Sequence, residues 1–193
     1  MSKYPNEEQC VMLLADAGCT RRVIIHCCTV RAVAEEIAKD TGADMELVIA
    51  GALLHDIGRS KDHSVMHAVE GAEIAERLGL PKELVDIIRK HMGAGVDAED
   101  AAEMGLPNMD YIPKTIEEKL VAHADNLVSD NRIVSYRHTA DRLRAKGSYR
   151  GADRIIALHK ELSGLRGKDL DMIARSLGEA PALARLCVSL AGK

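Results

Sequence analysis

Phenylalanine and tryptophan are absent from this 193-residue chain, and tyrosine occurs four times. Single-stranded nucleic-acid platforms stack bases on aromatic faces, so the composition argues against that class. A core without large rings has to be filled by Leu, Ile, Val, Ala and Met, which pack helices readily. No apolar run approaches the ~18 residues of a membrane span. The opening residues, Met1 to Glu8, lack the basic-then-apolar order of a signal peptide. A net charge of −4 leaves no overall basic footprint for duplex nucleic acid. The five cysteines, Cys10, Cys19, Cys27, Cys28 and Cys187, form neither an even disulfide framework nor a C-x-x-C pair. A reduced, cytoplasmic protein is the expectation. There is also no P-loop, no G-x-G-x-x-G and no Ser or Cys nucleophile with a convincing base.

What the chain does hold is histidine and aspartate on apolar faces. His55 and Asp56 interrupt the apolar end of a helix over Asp44 to His55, where Val48, Ile49, Ala52, Leu53 and Leu54 read as buried. A core rarely accepts an ionised Asp unless a cation or hydrogen bonds compensate it. His26 shares a stripe with Val30, Val33 and Ile37, at the spacing of one buried helical face. Asp125 lies on one face with Val121, Ala124 and Val128, in a helix opened by the Thr115/Glu118 capping box. Taken singly, a His on an apolar face is more often a hydrogen-bonded core residue, and a buried-face Asp more often caps or pairs with Arg. Four such residues on three helices are a plausible N2O2 set for a divalent first-row metal. Cys27 and Cys28 abut His26 but diverge by roughly 100° on a helix and read as small buried hydrophobes.

With His26, the His55-Asp56-Ile57-Gly58 motif and Asp125 in that order, residues 20 to 130 resemble the HD-domain superfamily of metal-dependent phosphohydrolases, in the HDIG form. The resemblance implies an all-α bundle in which these four residues ligate one divalent ion, and Asp56 commonly bridges to a second. In dinuclear members two further histidines bind the second ion, and His67 and His91 look like these. The alternative is plain: a His at a helix C-terminus is favoured by the macrodipole without any metal. His63 reads as facing solvent or substrate, His123 as pointing to another helix face, and His138 and His159 as lying outside the pattern. Fe, Mn, Ni, Co or Zn would suit the donors, as one ion or two. The implied chemistry is hydrolysis of a nucleotide or other small phosphate ester or anhydride by metal-activated water, with Asp56 and Arg59 as catalytic residues. Arg59, Lys61 and Arg22 are the substrate-binding candidates, Arg59 competing with a plain salt bridge; Arg132 and Arg137 are weaker, and Arg137, Arg142 and Arg144 read as a solvated helix face. The alternative function is a regulatory module that binds a nucleotide without hydrolysing it. The sequence lacks the Gly-Tyr-Pro element of cyclic-di-nucleotide enzymes, which puts that substrate in doubt.

The organisation expected is a leading helix within 1–19, an HD domain over 20–147, and C-terminal helices over 148–193 packed on the same domain or forming a homodimer contact. Helices are expected over Asn6 to Ala17, Thr20 to Thr41, Asp44 to His55, His67 to Leu78 and Pro81 to Lys90, with a polar connection over 57–66. The stretch from Met92 to Lys114, long and rich in Gly, Pro and acids, reads as a lid, binding loop or mobile segment. One helix is then expected from Thr115 past Asp125 to Ala145. Beyond it come helices around Ile155 to Leu162, Leu170 to Leu177 and Pro181 to Leu190. No strand alternation persists long enough to define a sheet.

Overall fold

A computed structural model describes residues 2–178, and the expected helix from Pro181 to Leu190 lies outside them. Helix starts follow local capping chemistry. Asn6 and Gln9 close a capping box at α1 (Glu7–Asp16), and the Thr20 hydroxyl accepts the Val23 N–H at α2 (Arg21–Ala38). Asp44 accepts two N–H groups at the start of α3 (Met45–Leu54), satisfying donors that a helix end otherwise leaves open. His55 caps α3, and a 3-10 turn over Ile57–Ser60 follows at once. Next come α4 (His67–Arg77), α5 (Lys82–Lys90), a short α6 (Ala98–Glu103) and α7 (Ile116–Asn126), the last opened by the Thr115/Glu118 capping box. A two-stranded hairpin, β1 (Val128–Ser129) and β2 (Arg132–Ile133), precedes α8 (Tyr136–Ala145), α9 (Tyr149–Arg166) and α10 (Leu170–Ser176). The fold is all-α apart from that hairpin.

The core is aliphatic. Val30, Val33, Ile37, Leu53, Leu54, Ile87, Ile88, Leu120 and Val121 are fully or almost fully buried where α2, α3, α5 and α7 meet. Each large aliphatic side chain removed from water contributes roughly 1.5–3 kcal/mol. Ile155, Leu158 and Leu162 of α9 and Leu170 and Ala174 of α10 join the same cluster, with α9 against α7 and α8 and α10 against α2.

Two expectations about this fold need correction. The helix expected from Thr115 to Ala145 is two helices, α7 and α8, broken by the hairpin. Asp130 adopts a left-handed φ of 57° at the turn, a conformation Asp tolerates better than branched residues do. Strands of two residues carry no alternation to detect. The stretch from Met92 to Lys114 is also no free lid. Tyr111 is buried with Val69, Val96, Ala101 and Leu106 in a small satellite core. Arg154 bonds Asp97, Asp100 and the Gly95 carbonyl, while Arg150 bonds Glu99 and Asp100, so α9 ties the segment down.

Close backbone packing then sets the site. A Cβ on Gly58 would stand 1.9 Å from the His67 carbonyl oxygen and 2.5 Å from the Gly71 nitrogen. The turn after His55-Asp56 therefore lies directly on α4, bringing the start of that helix to Asp56. Gly58 matters through this close approach, since α3 already ends before it, at Leu54. The buried Lys90 ammonium donates to Glu118 at 2.8 Å, which links the end of α5, next to His91, to the start of α7.

Candidate metal centre

Four imidazoles converge on two carboxylates. His26 comes from the first turns of α2, His55 from the end of α3, His67 from the start of α4 and His91 from the end of α5. Each is held at Nδ1 by a backbone carbonyl: His26 by Asp130 at 2.6 Å, His55 by Ala52 at 2.8 Å, His91 by Ile88 at 2.7 Å, and His67 by Ser64. A carbonyl only accepts, so every Nδ1 donates its proton outward. Every Nε2 faces inward toward the acids and is the atom free to bind a cation.

Asp125 Oδ1 lies 3.0 Å from His26 Nε2 and 3.6 Å from His55 Nε2, and Asp56 Oδ2 lies 3.7 Å from both. Asp56 Oδ1, on its other side, lies 3.2 Å from His67 Nε2 and 3.5 Å from His91 Nε2. Donors bound at ~2.0–2.2 Å to one ion stand about 3.0–3.5 Å apart in ordinary geometries, so these spacings suit ligands of shared cations. His55 Nε2 and Asp56 Oδ1 are buried without a hydrogen-bond partner, which is costly unless something occupies the space between them and their neighbours. His26, His55 and Asp125 form one group able to hold a metal ion, and His55, Asp56 and His91 another. The donor set fits a divalent transition metal.

The charges respond as such a cluster must. Burial opposes ionisation of Asp56, but the facing His55, His67 and His91 hold its carboxyl well below the usual range. Asp125 is likewise held low against burial by His26 and His55. Burial disfavours a charged His26, yet the bond and charge of Asp125, with Asp56 and the Asp130 carbonyl, raise it to about 9. A proton on His26 Nε2 then sits where a cation would. Burial lowers His91, which favours the neutral imidazole.

The site opens into a cavity of about 500 Å³ lined by His26, Asp56, Arg59, Asp125, the hairpin and α8. Arg59 lines it but gives its Nε to Asp56 Oδ2 at 2.6 Å and Nη1 to the His63 carbonyl. Arg22 lines it while paired with Asp130. His63 also faces the cavity, whereas exposed Lys61 does not line it. Arg132 and His138 are exposed, and Arg137 stacks over Tyr136. Cys27 and Cys28 are fully buried. Two features lay beyond the sequence reading. Asp130, whose carbonyl fixes the His26 tautomer, lies on the hairpin that interrupts the helix expected to Ala145; the Ser129-Asp130-Asn131 run is the turn signal there. Arg142, exposed as a solvated face would have it, also lines the cavity, with Lys146.

A fold of packed helices around an H…HD…D cluster defines a class of protein, and the sequence comparison agrees: the HD domain family matches residues 23–130. The chain belongs to that family. It is 46% identical over 176 residues to the tRNA (cytidine(56)-2'-O)-methyltransferase of Picrophilus torridus, aligning 91% of this chain with 52% of that protein. The chain thus spans about half the length of such relatives. An uncharacterized protein of Methanocaldococcus jannaschii is 43% identical over 154 residues, 76% of this chain and 91% of that one. The HD domain of the L. monocytogenes phosphodiesterase PgpH, solved with cyclic-di-AMP, superposes with a TM-score of 0.60 over 88% of this chain and 96% of that chain. At 16% identity, that likeness concerns the fold. Among the described residues no helix is long and apolar enough to cross a membrane.

Proposed function

We propose that the chain is a metal-dependent phosphohydrolase acting on a nucleotide or a related small phosphate ester or anhydride. One observation carries the reading. His67 Nε2 and His91 Nε2 stand 3.0 Å apart, each with its Nδ1 proton committed to a carbonyl, beside the carboxylate of Asp56. Two lone pairs that close, in a buried site, call for a cation between them and Asp56. In this reading His26, His55, Asp56 and Asp125 hold a first ion, and His67 and His91 join Asp56 in holding a second; Fe, Mn, Ni, Co and Zn are the candidates. Such ions supply a hydroxide nucleophile near neutral pH and polarise a phosphoryl oxygen. The protein's own contribution is orientation. Ala52, Ser64, Ile88 and Asp130 fix the imidazole tautomers, and Arg59 steadies Asp56 while leaving part of its guanidinium toward the cavity.

The test is elemental analysis after anaerobic purification, with turnover of nucleotide esters measured across added manganese, iron, nickel, cobalt and zinc. At least one equivalent of bound metal and metal-dependent phosphate ester hydrolysis are expected. Less than about a tenth of an equivalent even after reconstitution, or hydrolysis untouched by chelation, would overturn the reading.

A second reading rests on the 46% identity with a protein named as a tRNA methyltransferase. There this chain would be a nucleotide-binding partner of RNA modification and would not hydrolyse its ligand. Metal-loaded protein that binds nucleotides but leaves every ester intact would favour it.

A further inference from the structure

Cations in the cavity wall fall into two kinds. Arg22 and Arg59 already have carboxylate partners in Asp130 and Asp56. Arg142 and Lys146, one helical turn apart on α8 and its C-cap, line the same cavity and make no ion pair with any described residue. Arg142 reaches only the neutral Ser129 hydroxyl, at 3.5 Å. Other cations without an ion pair among the described residues, such as Lys61 and Arg132, do not line the cavity, whereas Arg144 of the same helix meets Asp141 and Asp153. The chain carries 30 acidic against 26 basic residues, so acids are not scarce. Two positive side chains with no carboxylate at ion-pair distance, Asp130 acting on Arg142 only from farther off, open on a cavity that also contains a proposed dication site and form a cradle for an anion.

In the hydrolase reading the scissile phosphate belongs at His26, Asp56 and Asp125, which leaves Arg142 and Lys146 of the same cavity for a second anion. The cavity wall holds no Tyr, and its only rings are the imidazoles of His26 and His63, so it offers a base no large aromatic face. Resting on the hydrolase reading above, we infer that the substrate carries two phosphate groups, one cleaved at the metal centre and one held by Arg142 and Lys146, with little discrimination between bases. A 5'-phosphorylated dinucleotide is the simplest molecule of that class. Its hydrolysis adds water across the internal phosphodiester: the water oxygen bonds phosphorus, the P–O bond to the departing sugar breaks, and that oxygen takes a proton. Two nucleoside monophosphates result.

The experiment compares diuridylate with and without a 5'-phosphate, pUpU and UpU, on manganese-reconstituted protein. Parent protein should prefer pUpU in kcat/KM by at least about tenfold, the size of one or two charge-assisted hydrogen bonds, and should treat pApA like pUpU. The Arg142→Gln/Lys146→Gln protein should lose most of that preference, falling further on pUpU than on UpU. Arg144→Gln, whose partners are Asp141 and Asp153, should retain it. Equal losses on the two substrates, or no loss, would overturn the inference. Bis(p-nitrophenyl) phosphate separates the two failures, since it reports the metal centre without a second phosphate. If the parent cleaves none of these esters, the hydrolase reading fails, and calorimetric binding of pUpU against UpU then decides the phosphate cradle by the same ratio.

Discussion

The molecule buries two pairs of histidines at nearly the same separation, and they are chemically opposite. In the first, His67 Nε2 and His91 Nε2 are 3.0 Å apart. In the second, His123 Nε2 and His159 Nδ1 are 3.1 Å apart, under the stacked ring of Tyr136. The second pair needs no cation between its rings: His123 Nε2–H donates to His159 Nδ1, and His159 Nε2–H points at Asp169, 3.5 Å away, while His123 Nδ1, on the far side of its ring, is buried without a hydrogen-bond partner. Burial, followed by the neighbouring His159, lowers His123 to about 3, so it stays neutral. The first pair has no such arrangement of protons, because both Nδ1 atoms are spent on carbonyls. Distance between imidazoles therefore says little; whether a proton is available to bridge the two facing nitrogens decides whether a cation is needed between them.

The largest effect should come from Asp56, the carboxylate facing all four site imidazoles. Asp56→Ala is expected to lower turnover by at least about a thousandfold, the loss of several kcal/mol of transition-state charge stabilisation. Helicity by circular dichroism should remain near that of the parent. Turnover retained by a metal-stripped Asp56→Ala protein would refute the mechanism. The two histidine pairs can then be set against each other. His67→Ala and His91→Ala should each lose roughly one equivalent of metal on reconstitution, together with most activity. His159→Gln should leave metal content at the parent value and instead cost about 1–3 kcal/mol of stability, by leaving a buried polar partner unsatisfied. If His67→Ala and His91→Ala keep both metal and turnover, the two pairs are alike and the site is mononuclear.

An intermediate effect is expected at Gly58. Its added Cβ would stand 1.9 Å from a backbone oxygen, which no side-chain rotation relieves. Gly58→Ala should cost about 1–3 kcal/mol, as overpacking does, and should move α4, and with it His67, away from Asp56. Calorimetric melting reads the first consequence and metal stoichiometry the second. A fall in melting temperature with unchanged metal would place Gly58 in packing alone.

Much of this was legible in the sequence because it is local. The caps at Asn6, Thr20, Asp44 and Thr115 sit beside the helices they start, and the apolar stripe through His26, Val30, Val33 and Ile37 is a single-helix pattern. His26, His55, Asp56 and Asp125 stood out because each interrupts such a stripe. What escaped depended on tertiary packing. Asp130 matters through its carbonyl, an atom every residue has, so no side-chain pattern marks it. Arg142 and Arg144, two positions apart, fall on opposite faces of α8, but only the fold shows that one face meets the cavity beside the hairpin and the other lies among acids. His123 and His159 are 36 residues apart and carry no shared motif.

The smallest effect concerns the thiols beside the first pair of ligands, and it tests whether this part of the core is as inert as its geometry says. Cys27 follows His26 directly, and Cys19 Sγ lies 3.5 Å from the Ile57 carbonyl, next to Asp56. A thiolate there would compete for metal. Burial comes first among the causes that raise these thiols, and the Asp56 carboxylate adds to it: Cys19 rises to about 11 and Cys27 well above its ordinary value. Cys10, beside Glu7, rises to about 12 for the same first reason. Only the thiolate is nucleophilic, and its fraction at pH 8 falls about tenfold for each unit that the thiol rises. Cys10, Cys19 and Cys27 should therefore resist iodoacetamide in the native protein at pH 8 and react once it is unfolded, as peptide mass mapping would show. Rapid native labelling of Cys27, with loss of metal, would mean that the wall of α2 behind His26 opens, and that a thiolate belongs in any account of the site.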